Sequence, residues 1–457
     1  MSNSTQKAYH FIAVGGAVMH QLALALHKMG HKITGSDDAF FDPSKTNLQK
    51  AGLLPESEGW SAARITQDLD GVILGMHAKA DNPELLRAKE LNIPVYSFPE
   101  FIYQNSLNKQ RVIIAGSHGK TSITSMVAHV LKHARRSFDY LIGAQLEGFD
   151  GMVQITDAPV IVIEGDEYLT SPLDLTPKFL HYHHHIALIS GIAWDHANVF
   201  PTEEEYVKQF ELLADQTPKA GTLVLCDDDS MVSIISNKNR EDVTTIKYST
   251  HATVNANGKK ALKGPNGAVE ISVFGEHNLQ NISGALEVCR RLGITDEEFY
   301  EAIKSFKGAA KRLELLAENG HTKVYRDFAH APSKLQASVN AMKGQYPDKN
   351  LVGVLELHTF SSLNQDFLPQ YNGTFDKADV PVVYYNPEVA ERKGLGGLSA
   401  EQIKSAFEND RIEVITDSRS LQDFLENQPK QDSNFLLMSS ANFGGINLSE
   451  LADSLTR

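Results

Sequence analysis

Short apolar runs alternate with helical segments along most of the sequence, and this alternation constrains the fold more than any other feature. Near the N-terminus, apolar runs lie at 9–13, 31–34 and 71–74, and segments with helical apolar spacing lie at 17–29 and 83–91. A strand that is repeatedly followed by a helix is typical of a parallel sheet covered by helices. The sequence therefore predicts an α/β fold.

The length of the chain indicates more than one such unit. It has 457 residues, whereas one hydrophobic core rarely serves more than about 250 to 300 residues. The alternation of strands and helices starts again near 111 and again near 323. We predict three α/β domains, over residues 1–107, 108–308 and 309–457.

Composition limits the classes of partner. The formal charge of -14 argues against a nucleic acid or an anionic membrane as the main partner. No uncharged apolar run reaches the ~18 residues of a membrane span, so we expect no membrane insertion and a cytoplasmic location. Cys226 and Cys289 are not spaced for a zinc site or a disulfide framework. These features favour an enzyme that acts on small molecules.

A glycine-rich turn, Gly-Ser-His-Gly-Lys-Thr at 116–121, lies between an apolar run at 111–115 and a helical pattern at 123–131. Backbone N–H groups in such a turn can hold phosphate oxygens, while Lys120 adds charge and the Thr121 hydroxyl can reach Mg²⁺. The turn is shorter than the strict P-loop pattern. The flanking strand and helix nevertheless favour phosphate binding over an ordinary connecting turn.

Acidic residues follow the apolar run at 160–163. Glu164 comes first, at the expected carboxyl end of a parallel strand, which is where ligands bind in open α/β sheets. Carboxylate oxygens are ligands that Mg²⁺ prefers, so we predict that Glu164 helps to hold the metal. Asp166 and Glu167 have an alternative interpretation as caps of a following helix.

Asp195 and His196 follow the apolar run at 186–190 and should reach the same edge. The alternative is that Asp195 caps a helix and that His196 is structural. The histidines at 181 and 183–185 invite a zinc interpretation, but neighbours on a strand point to opposite faces and no Cys or Glu completes a set.

The turn at Gly15 and Gly16 joins the first strand to the first helix. A phosphate-bearing ligand can bind at such a helix N-terminus. The GxGxxG pattern is not met, so a nicotinamide cofactor is not supported.

Together these segments resemble the Mur ligase family, in the family's order and over nearly the whole chain. The N-terminal matches are at 14–19, 34–37 and 82–84. The central matches are at 116–121, 164–167, 194–196 and 275–281, and the later ones are at 311–314 and 326–332.

The resemblance implies a three-domain Mur ligase architecture with a Rossmann-like N-terminal domain, a P-loop central ATPase domain and a Rossmann-like C-terminal domain. It also implies ATP, Mg²⁺ and an amide ligase that works through an acyl phosphate. The implied UDP-sugar residues are Gly15, Gly16, Ala17, Ser36, Asp37, His77 and Asn82. The implied ATP residues are Gly116, Ser117, His118, Gly119, Lys120, Thr121, Ser122, His277, Asn278, Asn281 and Arg312. The implied metal ligands are Thr121, Glu164 and His196, and the implied catalytic residues are Lys120, His196, Arg312, Asp327 and His330.

Three positions depart from the family pattern. The family often has Asn where Gly191 stands, His where Ala331 stands and Asp where Arg326 stands. These departures concern the placement of ATP and the amine and leave the fold expectation unchanged. Because the loop lysine and the acidic and histidine positions remain, the sequence favours an active enzyme over a UDP-sugar-binding scaffold.

The amine substrate is the least explicit part of the resemblance. Members that add L-alanine usually carry arginines after a His-x-Tyr segment, whereas 358–365 has none, and the ending at 438–446 is similar to that of ligases that reuse a muropeptide. The resemblance therefore implies joining L-alanyl-γ-D-glutamyl-meso-diaminopimelate to UDP-N-acetylmuramate, with L-alanine as the alternative amine. A P-loop kinase or motor ATPase does not account for 275–281 or for the N-terminal glycine turn.

Overall fold

The computed structural model of the chain describes residues 6–236, 240–256 and 259–457. Three larger sheets follow one another along these residues, with four, seven and six strands. Most neighbouring strands are parallel, which confirms the predicted α/β class.

The first sheet has the strand order β2-β1-β3-β4 and is parallel throughout. Its strands are β1 (Ala8–Ile12), β2 (Lys32–Ser36), β3 (Gly71–Leu74) and β4 (Val95–Ser97). Its helices are α1 (Ala17–Lys28), α2 (Ser44–Lys50), α3 (Pro83–Glu90) and α4 (Phe98–Gln104), with a 3₁₀ turn at Ala62–Arg64.

The central sheet has the order β13-β12-β11-β5-β8-β6-β7, and only the edge pair β6 and β7 is antiparallel in the described residues. Its strands are β5 (Gln110–Ala115), β6 (Asp139–Leu141), β7 (Val153–Gln154), β8 (Val160–Glu164), β11 (Ile186–Ile189), β12 (Thr222–Cys226) and β13 (Thr244–Tyr248). A hairpin is formed by β9 (Leu169–Ser171) and β10 (Asp174–Pro177), and a small antiparallel sheet by β14 (Thr253–Ala256), β15 (Lys259–Gly264) and β16 (Gly267–Val269). The helices are α5 (Lys120–His133), α6 (Glu203–Asp215), α7 (Ser230–Ser236), α8 (Glu276–Arg291) and α9 (Asp296–Ile303), with a 3₁₀ turn at Lys178–Tyr182.

The last sheet has the order β17-β18-β22-β19-β20-β21, in which β17 and β18 are antiparallel. Its strands are β17 (Glu314–Glu318), β18 (Lys323–Asp327), β19 (Asn350–Leu357), β20 (Val380–Tyr385), β21 (Glu413–Ile415) and β22 (Ser433–Met438). The helices are α10 (Pro332–Gln345), α11 (Pro387–Arg392), α12 (Ala400–Phe407), α13 (Ser418–Glu426) and α14 (Leu448–Leu455), with 3₁₀ turns at Leu368–Tyr371 and Phe443–Gly445.

The register of the central sheet places the predicted site residues together. Ile114 of β5 pairs with Glu164 of β8, and Ala115 pairs with Ile189 of β11. The three central strands are continuous apolar runs because helices cover both faces of a parallel sheet. Their carboxyl ends therefore meet beside the turn that follows Ala115.

The predicted domain boundaries at 107/108 and 308/309 fall between α4 and β5 and between α9 and β17. The boundaries themselves stay a prediction. Strands that the sequence did not reveal are mostly short antiparallel additions, such as β7, β14 and β17, which have two to five residues and are partly exposed. No helix among the described residues is long and apolar enough to cross a membrane.

Candidate active site

The turn between β5 and α5 can be formed only with glycines at its two ends. Gly116 has φ +129° and Gly119 has φ +78°, both in the left-handed region. A Cβ would lie 2.2 Å from Ser190 Oγ at position 116 and 2.4 Å from Asn281 Oδ1 at position 119. Tight contacts on both sides thus hold the turn at the N-terminus of α5.

Ser117 and Ser122 are both buried, and Ser117 anchors the turn to the rest of the central domain. Its N–H donates to the Gly191 carbonyl at 2.9 Å, and its Oγ accepts the Ala193 N–H at 2.9 Å. The same Oγ hydrogen-bonds with the Tyr206 hydroxyl at 2.9 Å. The Ser117 side chain is therefore already engaged within the protein and serves to hold the loop.

Lys120 and Glu167 form a buried ion pair in this turn. Lys120 Nζ donates to Glu167 Oε2 at 2.7 Å and to the Gly116 carbonyl at 2.5 Å. Burial lowers the pKa of Lys120, but the carboxylates of Glu167, Asp166 and Glu164 outweigh it, and the pKa ends above its ordinary value. Burial likewise raises the pKa of Glu167, and Lys120 and His196 hold it well below its usual range. Both groups are charged at neutral pH.

Two further side chains hold Glu167. The Tyr206 hydroxyl donates to Glu167 Oε1 at 3.1 Å, and His196 Nε2 lies 3.6 Å from the same oxygen. The interpretation of Asp166 and Glu167 as caps of a following helix is wrong, because the β9–β10 hairpin follows them and Asp166 pairs with Lys178 at 2.6 Å. No pattern in the sequence indicated that Tyr206, on α6, would reach the loop.

Thr121 and Glu164 meet as the metal prediction requires. The Thr121 hydroxyl donates to Glu164 Oε1 at 2.7 Å, and Glu164 Oε2 accepts the Gly143 N–H at 2.6 Å. No three His, Cys, Asp or Glu side chains of the described residues are grouped as a metal site. The set fits Mg²⁺, which typically takes one or two protein oxygens and completes its shell with phosphate oxygens and water.

His196 lies beside Glu167, the carboxylate that pairs with Lys120. Its backbone φ is +58°, a left-handed conformation that is unusual outside glycine and is found at functional sites. Burial lowers the pKa of His196, whereas Glu167 and Asp195 raise it, and the net direction is upward. In this structure His196 is thus placed as a partner of the Glu167 carboxylate.

Arg312 reaches the loop from the C-terminal part of the chain. Its Nη2 donates to Thr121 Oγ1 at 2.9 Å, and its guanidinium lies 4.9 Å from the centroid of the Phe328 ring. The flanking residues Lys311 and Leu313 have φ of +59° and +44°. This strained segment aims Arg312 at the glycine turn.

The N-terminus of α8 packs against the other side of the turn. Asn278 Nδ2 donates to the Phe274 carbonyl at 2.8 Å, and Asn281 lies beside Gly119. Burial lowers the pKa of His277, although the nearby Asp327 carboxylate acts in the opposite direction. Asn281 therefore contacts the loop, and His277 and Asn278 lie about one turn earlier on the same helix.

Asp195 joins the central sheet to α10 of the last sheet. Asp195 Oδ2 lies 3.3 Å from Lys334 Nζ and 3.8 Å from His330 Nε2. Burial raises the pKa of Asp195, but Lys334, His196 and His330 hold it well below its usual range. The interpretation of Asp195 as a helix cap is wrong, since the next helix starts at Glu203 with Thr202 as its cap.

The two remaining predicted catalytic residues are engaged with their own surroundings. Burial and then the Lys334 charge lower the pKa of His330 to about 3, so this imidazole is neutral at physiological pH. Asp327 accepts hydrogen bonds from the Ser338 hydroxyl and, at 2.8 Å, from the Phe328 N–H. Both Asp327 oxygens are thus held by hydrogen bonds within the C-terminal part of the chain.

The histidines at 181–185 contact different elements. His181 lies 2.9 Å from Asp174, His184 pairs with the Thr217 hydroxyl at 2.8 Å, and His185 accepts the Arg111 N–H at 3.0 Å. They are not arranged around a common point.

The predicted UDP-sugar turn lies at the carboxyl edge of the first sheet. The Gly15 N–H donates to Asp37 Oδ2 at 2.7 Å, and Gly16 and Ala17 begin α1. Burial and a neighbouring Asp38 raise the pKa of Asp37 to about 6. Asp37 thus forms a direct hydrogen bond with the glycine turn.

The other predicted UDP-sugar residues of this domain do not all have side chains that are available to a ligand. Ser36 is fully buried and donates to Glu84, which also pairs with buried His10 at 3.2 Å. Asn82 caps α3 by accepting the Glu84 N–H at 2.9 Å, whereas His77 is exposed. The side chains of Ser36 and Asn82 thus form hydrogen bonds within the domain. The glycine turn, Asp37 and His77 are the predicted residues that are left to bind a ligand.

The three departures from the family pattern have local partners. The His118 ring lies where a side chain at Gly191 would be. Arg326 forms a two-point ion pair with Glu314 across β17 and β18, at 2.8 and 3.0 Å. Ala331 is buried and occupies the N-cap position of α10, without a side-chain hydrogen bond to the helix.

Models of three Mur ligase domains match the chain one after another. The match to "Mur ligase family, catalytic domain" covers 8–110, that to "Mur ligase middle domain" covers 114–289, and that to "Mur ligase, glutamate ligase domain" covers 311–441. The UDP-N-acetylmuramate–L-alanine ligase of Lactobacillus gasseri is 31% identical over 417 residues, which are 87% of this chain and 89% of the relative. The chain belongs to the Mur ligase family. This Mur ligase is therefore an ATP-dependent amide ligase by family.

Solved structures agree with this assignment. A murein peptide ligase from Psychrobacter arcticus superposes with a TM-score of 0.68 at 22% identity and covers 99% of both chains. The UDP-N-acetylmuramate:L-alanyl-γ-D-glutamyl-meso-diaminopimelate ligase from Neisseria meningitidis gives a TM-score of 0.58 at 27% identity, over 66% of this chain and 99% of its own. The Mur ligase fold predicted from the sequence is confirmed.

Proposed function

We propose that this Mur ligase joins the lactyl carboxylate of UDP-N-acetylmuramate to the amino group of L-alanyl-γ-D-glutamyl-meso-diaminopimelate, with hydrolysis of ATP to ADP and phosphate. The observation that carries the ligase assignment is the meeting of Lys120, Thr121, Glu164 and Arg312 at one glycine turn. Three cationic or hydroxyl groups there face the place where a triphosphate would lie at the N-terminus of α5.

In the first step, a carboxylate oxygen of the sugar attacks the γ-phosphorus of ATP and ADP leaves. An acyl phosphate results. Such a transfer depends on positioning and charge neutralisation. Lys120 and Arg312 supply positive charge to the phosphates, and Mg²⁺, held through Thr121 and Glu164, would neutralise further charge.

In the second step, the amine nitrogen attacks the acyl carbon, phosphate leaves and the nitrogen loses a proton. Asp195 and His330 lie between the central and C-terminal sheets, where the amine has to enter. A neutral His330 can accept a hydrogen bond from the amine, and the proton is released to solvent. Asp195 holds Lys334 and His330 in place.

A bound nucleotide would change the partners of the Lys120 ammonium group. In this structure its charge is matched by Glu167 and the Gly116 carbonyl. A triphosphate at the turn competes for the same ammonium group. Glu167 then remains paired with His196 and Tyr206, which keeps its buried charge compensated.

We further propose that the UDP-sugar binds at the Gly15–Gly16 turn beside Asp37. The three predicted domains would bind the sugar, ATP and the amine, in that order along the chain. We also propose that the enzyme works in the cytoplasm. The N-terminal turn supports the sugar assignment, because a helix N-terminus with close backbone access suits a pyrophosphate. Domain closure would exclude water from the acyl phosphate.

The choice of amine rests on two segments of the last domain. Residues 358–365 carry no arginine, and 438–446 resemble the ending of muropeptide ligases. L-Alanine is the second candidate, because the curated relative from Lactobacillus gasseri is named for that amino acid. The test compares kcat/KM for the tripeptide and for L-alanine at equal concentrations of sugar and Mg-ATP. A higher value for the tripeptide supports the proposal, and a higher value for L-alanine replaces it with the second candidate.

A further inference from the structure

Glu84, on α3, is a fully buried acidic residue to which the proposed reaction gives no role. Its Oε2 accepts a hydrogen bond from the Ser36 hydroxyl and lies 3.2 Å from Nε2 of the fully buried His10. Its Oε1 accepts the Ser61 N–H at 2.9 Å and lies 3.3 Å from Arg64 Nη1. Burial raises the pKa of Glu84, but the hydrogen bonds to this carboxylate, that with His10 first, outweigh burial and lower the pKa. Both oxygens of an ionised carboxylate are thus held, by groups from three segments of the chain.

One oxygen of Glu84 is connected to the glycine turn of the first sheet through Ser36. Ser36 ends β2 and directly precedes Asp37, whose Oδ2 accepts the Gly15 N–H at 2.7 Å. The Ser36 carbonyl accepts the Val14 N–H at 3.0 Å. Two neighbouring peptide groups of the turn are therefore held by Ser36 and Asp37, and the Ser36 side chain is itself held by the Glu84 carboxylate.

The other oxygen of Glu84 is connected to the loop that follows α2 through Arg64. Arg64 Nη1 donates to the Gly59 carbonyl, and Arg64 Nη2 donates to the Ser57 carbonyl at 2.8 Å. The Gly59 N–H in turn donates to the Asp37 carbonyl at 2.7 Å. Asp37 is therefore held from two sides, by its neighbour in the strand and by this loop. Both sets of hydrogen bonds lead back to the one carboxylate of Glu84.

Stability alone does not explain a charged network at this depth. A buried ion pair typically contributes no more to stability than apolar residues of the same volume, because both charges lose their hydration. A buried polar network whose members are all hydrogen-bonded instead makes the structure around it rigid and specifies one arrangement. The arrangement that the Glu84 network specifies is that of Asp37 and the glycine turn.

We propose that Glu84 and Arg64 are positioning residues for the UDP-sugar, which hold Asp37 and the glycine turn in the arrangement that binds the sugar nucleotide. The inference rests on the proposed sugar site and goes beyond it, because both residues act through others. Glu84 acts through the Ser36 hydroxyl and the Arg64 guanidinium, and Arg64 acts through the backbone of the loop. Loss of either side chain should weaken sugar binding and leave ATP binding unchanged, since the proposed ATP turn belongs to another sheet.

The test compares Arg64→Gln with Arg87→Gln, a control that removes an arginine paired with Glu90 on the exposed side of α3. In Arg64→Gln, Kd and KM for UDP-N-acetylmuramate should rise ~10-fold, whereas kcat at saturating sugar and Kd for ATP should stay within ~2-fold of the wild type. Arg87→Gln should match the wild type in all four quantities. Glu84→Gln should weaken sugar binding at least as much as Arg64→Gln. Because Arg64 is partly exposed, Arg64→Gln keeps the test valid if the buried variant does not fold.

An unchanged Kd for the sugar in Arg64→Gln, or equal losses of sugar and ATP binding, would overturn the positioning role. Hydrogen exchange supplies a readout that needs no ligand. The amides of residues 14–17 should exchange faster in Arg64→Gln than in the wild type or in Arg87→Gln, and equal exchange would refute the inference. If the wild-type enzyme does not bind UDP-N-acetylmuramate, the proposed sugar site fails separately, and hydrogen exchange still decides whether Arg64 holds the turn.

Discussion

The His118 imidazole lies where a side chain on residue 191 would have to be. A Cβ built on Gly191 would be 2.4 Å from both Cε1 and Nε2 of the ring, closer than real atoms approach. Burial lowers the pKa of His118 to about 4, so the ring is neutral, and its Nδ1 has no hydrogen-bond partner in the described structure. The asparagine that the family often carries at this position therefore requires the His118 ring to move.

Gly191→Asn should therefore weaken ATP binding and lower kcat/KM for ATP by at least ~10-fold, because the His118 ring and the Ser117 anchor to the Gly191 carbonyl would both be displaced. Steady-state kinetics with ATP as the varied substrate measures this change. Adding His118→Ala to the same chain removes the collision and should recover part of the loss. A single variant with unchanged kinetics would show that the loop tolerates the side chain.

Lys120→Ala should reduce the rate of amide formation by at least ~100-fold, since the removed charge faces the most anionic part of the transition state. The variant should bind UDP-N-acetylmuramate as the wild type does. Single-turnover measurements with saturating ATP separate the chemical step from nucleotide binding. Turnover close to that of the wild type would refute the role assigned to the loop.

The buried pair of Lys120 and Glu167 makes a prediction about stability. Glu167→Gln leaves the Lys120 charge without its acid, and removal of one partner of a buried ion pair typically costs about 3 to 5 kcal/mol. Lys120→Met/Glu167→Gln should regain much of this loss. Urea unfolding of both single variants and the double variant gives the coupling energy. Strictly additive losses would contradict a direct interaction between the two side chains.

Glycine 16 offers a cleaner test of the sugar site than Gly15. A Cβ on Gly15 would collide with Asp37 Oδ2 at 2.8 Å, whereas a Cβ on Gly16 makes ordinary contacts with Met19 at 3.7 Å and the Ala13 carbonyl at 3.9 Å. Gly16→Val should leave the fold and ATP binding intact and weaken UDP-N-acetylmuramate binding at least ~10-fold, because it blocks approach to the backbone. Calorimetry with each ligand distinguishes the two sites, and selective loss of ATP binding would be the opposite of this expectation.

Asp37 predicts a pH dependence of stability. Its pKa rises from 3.8 to about 6 in the folded protein, chiefly through burial, so the folded state holds the proton more tightly than the unfolded state. Its contribution to stability is greatest below about pH 4 and falls as the pH rises to about 6. Asp37→Asn should therefore stabilise the protein relative to the wild type more at pH 8 than at pH 4.5, as measured by thermal unfolding. A Tm difference independent of pH would contradict the raised pKa.

The sequence predicted the parts of the structure that follow from apolar periodicity and from spacing within one segment. The strands at 111–115 and 160–163 and the turn between Gly116 and Thr121 are of this kind, because a buried parallel strand must be apolar and a tight turn needs glycine.

Contacts between distant segments could not be predicted in the same way. Tyr206 reaches Glu167 from α6, and Lys334 reaches Asp195 from another sheet. Nothing in the local pattern of a helix specifies which distant loop its polar side chain will meet. Ser36 and Asn82 show the opposite case. Their motifs predicted contact with a ligand, whereas in the structure their side chains form hydrogen bonds within the domain.

The most direct test of the whole account is product formation by the purified full-length protein. It is incubated with UDP-N-acetylmuramate, Mg-ATP and either the tripeptide or L-alanine, and the masses of the products are measured by mass spectrometry. We expect a new amide with the mass of sugar plus amine minus water, together with one ADP and one phosphate, only when all three substrates are present. ADP release that does not require the sugar, or the absence of an amide with either amine, would contradict it.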